Sequence, residues 1–134
     1  MEHSTDANGT KYWFKGNKLH REKGPAKEYV NGDVEWYYNG KLHRENGPAI
    51  TEREPNQIGR YRYEVWYKHG KIHRLDGPAV TIPNGDKEWW VNGEKTGPLI
   101  TDENGCIYEI KNGHRRIVHP VGFWKTLHYL LQNY

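Results

Sequence analysis

Three stretches of this chain are near copies of one another, and that internal repetition constrains the fold more than any other feature. WFKGNKLHREKGPA begins at Trp13, WYYNGKLHRENGPA at Trp36 and WYKHGKIHRLDGPA at Trp66, and a reduced copy, WWVNGEKTGP, begins at Trp89. The tryptophans stand 23, 30 and 23 residues apart, so the period is 23 and the second unit carries 7 extra residues, placed within Pro55 to Tyr61. In the fourth copy Thr96-Gly97 replaces the longer HRxxG segment, and Lys111-Asn112-Gly113 marks a weaker fifth unit.

Each unit carries two turn signals. Asn39-Gly40, Asn92-Gly93, His69-Gly70 and Gly16-Asn17 are two-residue hairpin signals. HRxxGPA is the second turn, with Gly24, Gly47 and Gly77 expected to supply positive φ. Pro25, Pro48 and Pro78 then open the next strand where no ladder donor is needed. Asn31-Gly32, Asn84-Gly85 and Asn104-Gly105 return the chain towards the next unit. The pattern predicts an all-β fold: an elongated antiparallel β-meander of about four 23-residue hairpin repeats.

Counting outward from Asn39-Gly40 sets Tyr38 opposite Lys41, Tyr37 opposite Leu42, Trp36 opposite His43 and Glu35 opposite Arg44. Alternation then places Trp13/His20, Trp36/His43 and Trp66/His73 on one face, and Phe14/Leu19, Tyr37/Leu42 and Tyr67/Ile72 on the other with Glu35 and Arg44. A two-residue turn at Asn31-Gly32 opposes Glu28 to Glu35, a repulsion that a bulge would relieve.

Residues 1–10 are polar, without a signal-like apolar stretch, and read as a flexible N-terminal tail. The repeat domain spans 11–117. In 118–134 the spacing of Phe123, Leu127, Leu130 or Leu131 and Tyr134, with Trp124 on the same side, predicts a short C-terminal capping helix. The strand near Lys11 to Phe14 is then an uncovered edge and a route to homo-oligomers. With 28% charged residues a thick aliphatic core is not expected, but 6 Trp and 10 Tyr offer broad aromatic surfaces in its place. Cys106 is the only cysteine, which excludes an intrachain disulfide. No segment approaches the roughly 18 apolar residues that span a bilayer, so a cytoplasmic protein without a membrane span is expected.

The 23-residue period and the core Glu35-Trp36-Tyr37-Tyr38-Asn39-Gly40-Lys41-Leu42-His43 resemble the MORN repeat family over roughly residues 11 to 113. The HRxxGPA extension is similar to a variant common in proteins of bacteriophages and large DNA viruses. The resemblance implies a single-layer β-meander that serves as a scaffold, an interaction module or a phospholipid binder. It also implies a viral accessory role in the host cytoplasm. The chain departs from the family in carrying Arg21, Arg44 and Arg74 where a glycine usually follows the histidine.

The His20-Arg21, His43-Arg44 and His73-Arg74 pairs are the obvious candidates for a site. Strands lie about 4.8 Å apart, so equivalent residues of neighbouring repeats fall roughly 10 Å apart. Histidine nitrogens at that spacing cannot share a zinc ion, whose ligands sit at about 2.0 Å, so no metal and no cofactor is expected. A repeating ladder also fails to single out one histidine with a carboxylate orienter, and no GxSxG, HExxH, CxxC or P-loop spacing occurs. Two compatible roles remain. In one, each histidine stacks on the neighbouring tryptophan while each arginine pairs with a glutamate such as Glu35 or Glu64. In the other, Trp13, Trp36, Trp66, Trp89 and the His-Arg pairs form a docking face, since Trp, Tyr and Arg are enriched at binding hot spots. The function expected is therefore non-enzymatic binding of a protein partner. The alternative is nucleic-acid binding, with the arginines on phosphates and the tryptophans on bases. The interleaving of 17 acidic with 20 basic residues counts against that alternative.

Overall fold

The computed structural model describes residues 2–53 and 61–119. The insertion expected at Pro55 to Tyr61 lies outside them except for Tyr61, and so does the capping helix from residue 120 onward. Every element described is a strand. The first unit contributes β1 (Glu2–Thr5), β2 (Lys11–Lys15), β3 (Lys18–Leu19) and β4 (Lys27–Glu28). The second contributes β5 (Val34–Glu35), β6 (Tyr37–Tyr38), β7 (Lys41–Leu42) and β8 (Ile50–Arg53). The third contributes β9 (Tyr61–Val65), β10 (Tyr67–Lys68), β11 (Lys71–Ile72) and β12 (Val80–Thr81). Then come β13 (Lys87–Val91), β14 (Glu94–Thr96), β15 (Leu99–Thr101), β16 (Ile107–Lys111) and β17 (His114–His119). No helix among the described residues is long and apolar enough to cross a membrane.

The strands form an antiparallel meander. The main sheet runs β1-β2-β4-β5-β8-β9-β12-β13-β14, with β3 beside β2. Hairpins β6–β7 and β10–β11 leave this path, and β15-β16-β17 make a separate sheet. The departure point in each unit is the tryptophan. Its N–H stays in the main ladder, bonding the carbonyl of the unit's GPA alanine: Trp13 to Ala26 (2.8 Å), Trp36 to Ala49 (2.7 Å) and Trp66 to Ala79 (2.8 Å). Its carbonyl belongs to the side hairpin and accepts from His20 (2.9 Å), His43 (3.0 Å) or His73 (3.0 Å).

The same register sets Trp13, Ala26, Trp36, Ala49, Trp66, Ala79 and Trp89 in one row across the sheet. Residues directly opposite share a face, so each alanine lies between two indoles roughly 10 Å apart. The fit is complete: Ala26, Ala49 and Ala79 are each 0% exposed.

Turn chemistry follows the sequence closely. Both central residues are left-handed at Asn39-Gly40 (φ 49° and 82°), His69-Gly70 (48° and 84°), Asn92-Gly93 (51° and 83°) and Asn112-Gly113 (53° and 79°), the type I′ pattern that suits strand twist. The predicted pairs Phe14–Leu19, Tyr37–Leu42, Tyr38–Lys41 and Tyr67–Ile72 form.

Four expectations are corrected. The turn at Asn31-Gly32 spans 29–33 and is closed by Tyr29 N–H to the Asp33 carbonyl (2.9 Å), with Asn31 Oδ1 accepting from Asp33 N–H (2.9 Å). This shifts the register by one, so Lys27 rather than Glu28 meets Glu35 and the repulsion disappears. The first ten residues are not a free tail: β1 pairs with β2 and sets His3 opposite Trp13, and Asp6 closes the following turn through Asn8 and Thr10 N–H. The Lys11 to Phe14 strand is therefore covered, and β1 is the outer strand of the sheet. Val118 and His119, assigned from sequence to the cap, are the last residues of β17.

Candidate functional site

The HRxxGPA segment builds the site. Its arginine does not leave the tryptophan face as strict alternation would require. Arg21 lies over the Trp13 ring at 4.0 Å, Arg44 over Trp36 at 4.0 Å and Arg74 over Trp66 at 3.7 Å, each a cation–π contact. Each guanidinium then donates through Nη1 to the proline carbonyl four residues on: Pro25 (3.1 Å), Pro48 (3.2 Å) and Pro78 (3.1 Å). This accounts for the glycine before each proline. Gly24, Gly47 and Gly77 are absent from the left-handed region, contrary to expectation. A Cβ at these positions would instead meet the guanidinium, at 2.8, 2.6 and 2.8 Å respectively. Arg21 also reaches Glu28 at 3.4 Å and Arg74 reaches Asp76 at 2.8 Å, while Glu35 is engaged by the Tyr29 and Tyr37 hydroxyls. Burial and the Glu35 hydrogen bond push the Tyr37 hydroxyl pKa well up.

The histidines do not stack on tryptophan either. Each accepts at Nδ1 a backbone N–H from the next hairpin's turn: His20 from Asn39 (2.9 Å), His43 from His69 (2.9 Å) and His73 from Asn92 (3.0 Å). Two further bonds cross each joint. Gly40, Gly70 and Gly93 N–H donate to the Leu19, Leu42 and Ile72 carbonyls, and Arg21, Arg44 and Arg74 N–H donate to Tyr37, Tyr67 and Trp90. The side hairpins thus form a second column beside the main sheet. His20 packs against Tyr38 at 4.5 Å, Tyr38 lies 5.8 Å from His43, and His43 stacks on His69 at 4.2 Å. The last contact brings two imidazoles closer than the ladder spacing, because His69 stands in the turn position that Asn39 and Asn92 hold. Both His43 nitrogens are engaged, Nδ1 by His69 N–H and Nε2 by Glu45 Oε1 at 2.8 Å. Lys68 at 3.1 Å, with His43, holds the Glu45 carboxyl below its ordinary pKa. Among the described residues no three of His, Cys, Asp and Glu converge where a metal ion could sit.

Two open grooves lie between successive HRxxG loops. The first, of about 700 Å³, is lined by Arg21, Glu22 and Lys23 on one wall, Arg44, Glu45 and Asn46 on the other, and Trp36, Tyr38, His43 and His69 between. The second, of about 320 Å³, lies between Arg44-Glu45-Asn46 and Arg74-Leu75-Asp76, with Trp66, Lys68 and His73 between. The site residues read from sequence therefore separate. Trp36, Trp66, His43, His73, Arg21, Arg44 and Arg74 meet in the grooves, whereas Trp13, His20 and Trp89 line neither. His20 is 1% exposed and serves packing. Trp89 faces Thr96 and lacks a HRxxG arginine.

Sequence reasoning missed Glu109 and Arg116. Counting from Asn112-Gly113 places them where the other units carry tryptophan and histidine, and they pair across the hairpin. Glu109 is 1% exposed, accepts from Gly97 N–H (2.8 Å) and from Arg116 Nε (2.6 Å). Burial pushes its pKa up, but Gly97 and Arg116 outweigh burial and hold it below the ordinary value. Comparison with protein-family models, curated proteins and solved structures finds no match for the chain.

Proposed function

We propose that the chain is a non-enzymatic interaction module that binds a protein partner across its two adjacent grooves. The observation that carries this reading is the repetition of one recess: a tryptophan floor, an arginine already stacked on it, and walls made by successive loops. The stack lowers the entropic cost of binding, because the large side chains at the floor are ordered before a partner arrives. Both recesses are open and share the Arg44-Glu45-Asn46 wall, which suits an extended segment lying over both. The resemblance to MORN-type repeats and to viral HRxxGPA proteins supports the same reading, with a host factor as the partner that a viral accessory protein would bind or inhibit.

Nucleic-acid binding is the less favoured reading. Arg21, Arg44 and Arg74 spend donors on proline carbonyls and their faces on tryptophan, while Glu22, Glu45 and Asp76 are the more exposed groups of the same loops (61%, 63% and 79%). A phosphate backbone would meet carboxylates first. The test is affinity capture with Asn46→Arg, which places a long side chain at the wall common to both grooves. Lys95→Ala, on β14, is the control. The reading requires Asn46→Arg to lose the captured protein and Lys95→Ala to keep it. Equal capture by both variants, or capture of nucleic acid whose affinity falls steeply with salt, would refute it.

A further inference from the structure

We infer that His73, through its Nδ1 acceptor, acts as a proton-sensitive latch, and that acidification loosens the hairpin column at its third joint, between β10–β11 and β13–β14. This stands apart from what the grooves bind. Each joint has one backbone N–H aimed at one ring nitrogen: Asn39 at His20, His69 at His43 and Asn92 at His73. Such a nitrogen must offer its lone pair. A protonated imidazole carries N–H on both sides, so donor would face donor and the bond is lost rather than weakened. Each joint would then keep the glycine and arginine backbone bonds beside it.

The three rings differ in their surroundings. His20 is 1% exposed beneath Tyr38, with the Glu22 carboxylate 3.8 Å from Nε2. His43 lies between Tyr38 and His69 and donates its Nε2–H to Glu45, which also holds Lys68. That carboxylate fixes the tautomer that leaves Nδ1 able to accept. His73 shares its groove with Arg44, Glu45, Lys68, Arg74 and Asp76, and of the charges near it Lys68 and His119 disfavour an imidazolium. Burial, Lys68 and His119 together lower the His73 pKa from its ordinary 6.5. The sign follows directly. Stability supplied by the neutral ring is complete above about 6.5, declines as the pH falls below it, and is gone once the lower folded-state value is passed. The third joint also ends the ladder, since Thr96 stands where a histidine would latch a further hairpin.

The experiment is amide hydrogen exchange by NMR on the full chain, corrected for the intrinsic pH dependence of exchange. Between about pH 7.5 and about pH 5, Asn92 protection should fall. In His73→Asn the side-chain oxygen can take the place of Nδ1 and does not titrate, so Asn92 protection should stay constant. Unchanged Asn92 protection in the wild-type protein, or an equal fall in His73→Asn, overturns the inference. Should His73→Asn not fold, the ring nitrogen shifts of wild-type His73 decide. Protonation of Nδ1 in step with the loss of Asn92 protection supports the latch, and protonation with that protection intact overturns it.

Discussion

Gly47→Ala isolates the interaction that defines each unit. Gly47 lies outside the left-handed region, so alanine introduces no backbone strain there, and by restricting the unfolded chain it should stabilise by about 0.4–1 kcal/mol. The added Cβ, however, would stand 2.6 Å from Arg44 Cζ and 2.8 Å from Nε and Nη1. A guanidinium is the far end of a flexible side chain and can swing away, so the cost is what Arg44 gives up. It gives up a cation–π contact with Trp36 worth about 0.5–2 kcal/mol and a charged hydrogen bond to the Pro48 carbonyl worth about 1.5–3 kcal/mol. Both are half-exposed, which favours the lower ends. The net expectation is a destabilisation of about 1–3 kcal/mol, read as a lower urea midpoint with an unchanged m value. The decisive comparison is the double-mutant cycle. With Arg44→Ala already present, the clash is gone and Gly47→Ala should be neutral or stabilising by about 0.5 kcal/mol. Equal destabilisation in both backgrounds would show that the glycine serves the backbone and that the arginine stack does not explain HRxxGPA.

Further expectations concern the row, the last sheet and the outer strand. Ala49→Leu forces four-carbon bulk between Trp36 and Trp66 and should cost about 1–3 kcal/mol in urea unfolding, whereas an unaffected midpoint would mean the row is loosely packed. Glu109→Gln should cost about 1–3 kcal/mol at neutral pH by weakening the bonds to Gly97 and Arg116. Because the Glu109 pKa is held below its ordinary 4.5, its contribution is present above that value and lost as the pH falls through the lower folded value. Wild-type and Glu109→Gln stability curves should therefore converge in acid, and parallel curves would contradict the assignment. Removing residues 1–5 exposes the edge of β2 and should lower stability and promote association in light scattering, whereas unchanged values would return these residues to the status of a tail.

What could be read from the sequence was whatever depends on local chemistry. The Asn-Gly and His-Gly pairs set type I′ turns that fixed the Tyr37–Leu42 and Tyr67–Ile72 pairs, the Gly16-Asn17 turn, left-handed at its glycine alone, fixed Phe14–Leu19, and the Trp period set the meander. What could not be read depends on side-chain reach. Alternation assigns faces by Cβ direction, yet a four-atom arginine stem can turn back over Trp36, so the glycine and proline beside it acquired the wrong explanation. The histidine role was hidden for a related reason. Its partner is a backbone N–H some 19 to 26 residues away in the next turn, and a backbone donor leaves no mark in residue identity. The outer strand was missed because Glu2–Thr5 is polar, although Asp6-Ala7-Asn8-Gly9 carries the same turn signal as Asp102-Glu103-Asn104-Gly105.

The most direct measurement is the proton chemical shift of the Arg21, Arg44 and Arg74 side chains in solution. If the guanidinium groups lie on the indoles at about 4 Å, as their centroid distances of 4.0, 4.0 and 3.7 Å require, their δ and ε protons carry ring-current shifts upfield. Those shifts should persist as salt is raised. Side-chain shifts at unstructured-peptide values in all three arginines would mean that they extend into solvent, and the pre-ordered groove described above would not exist.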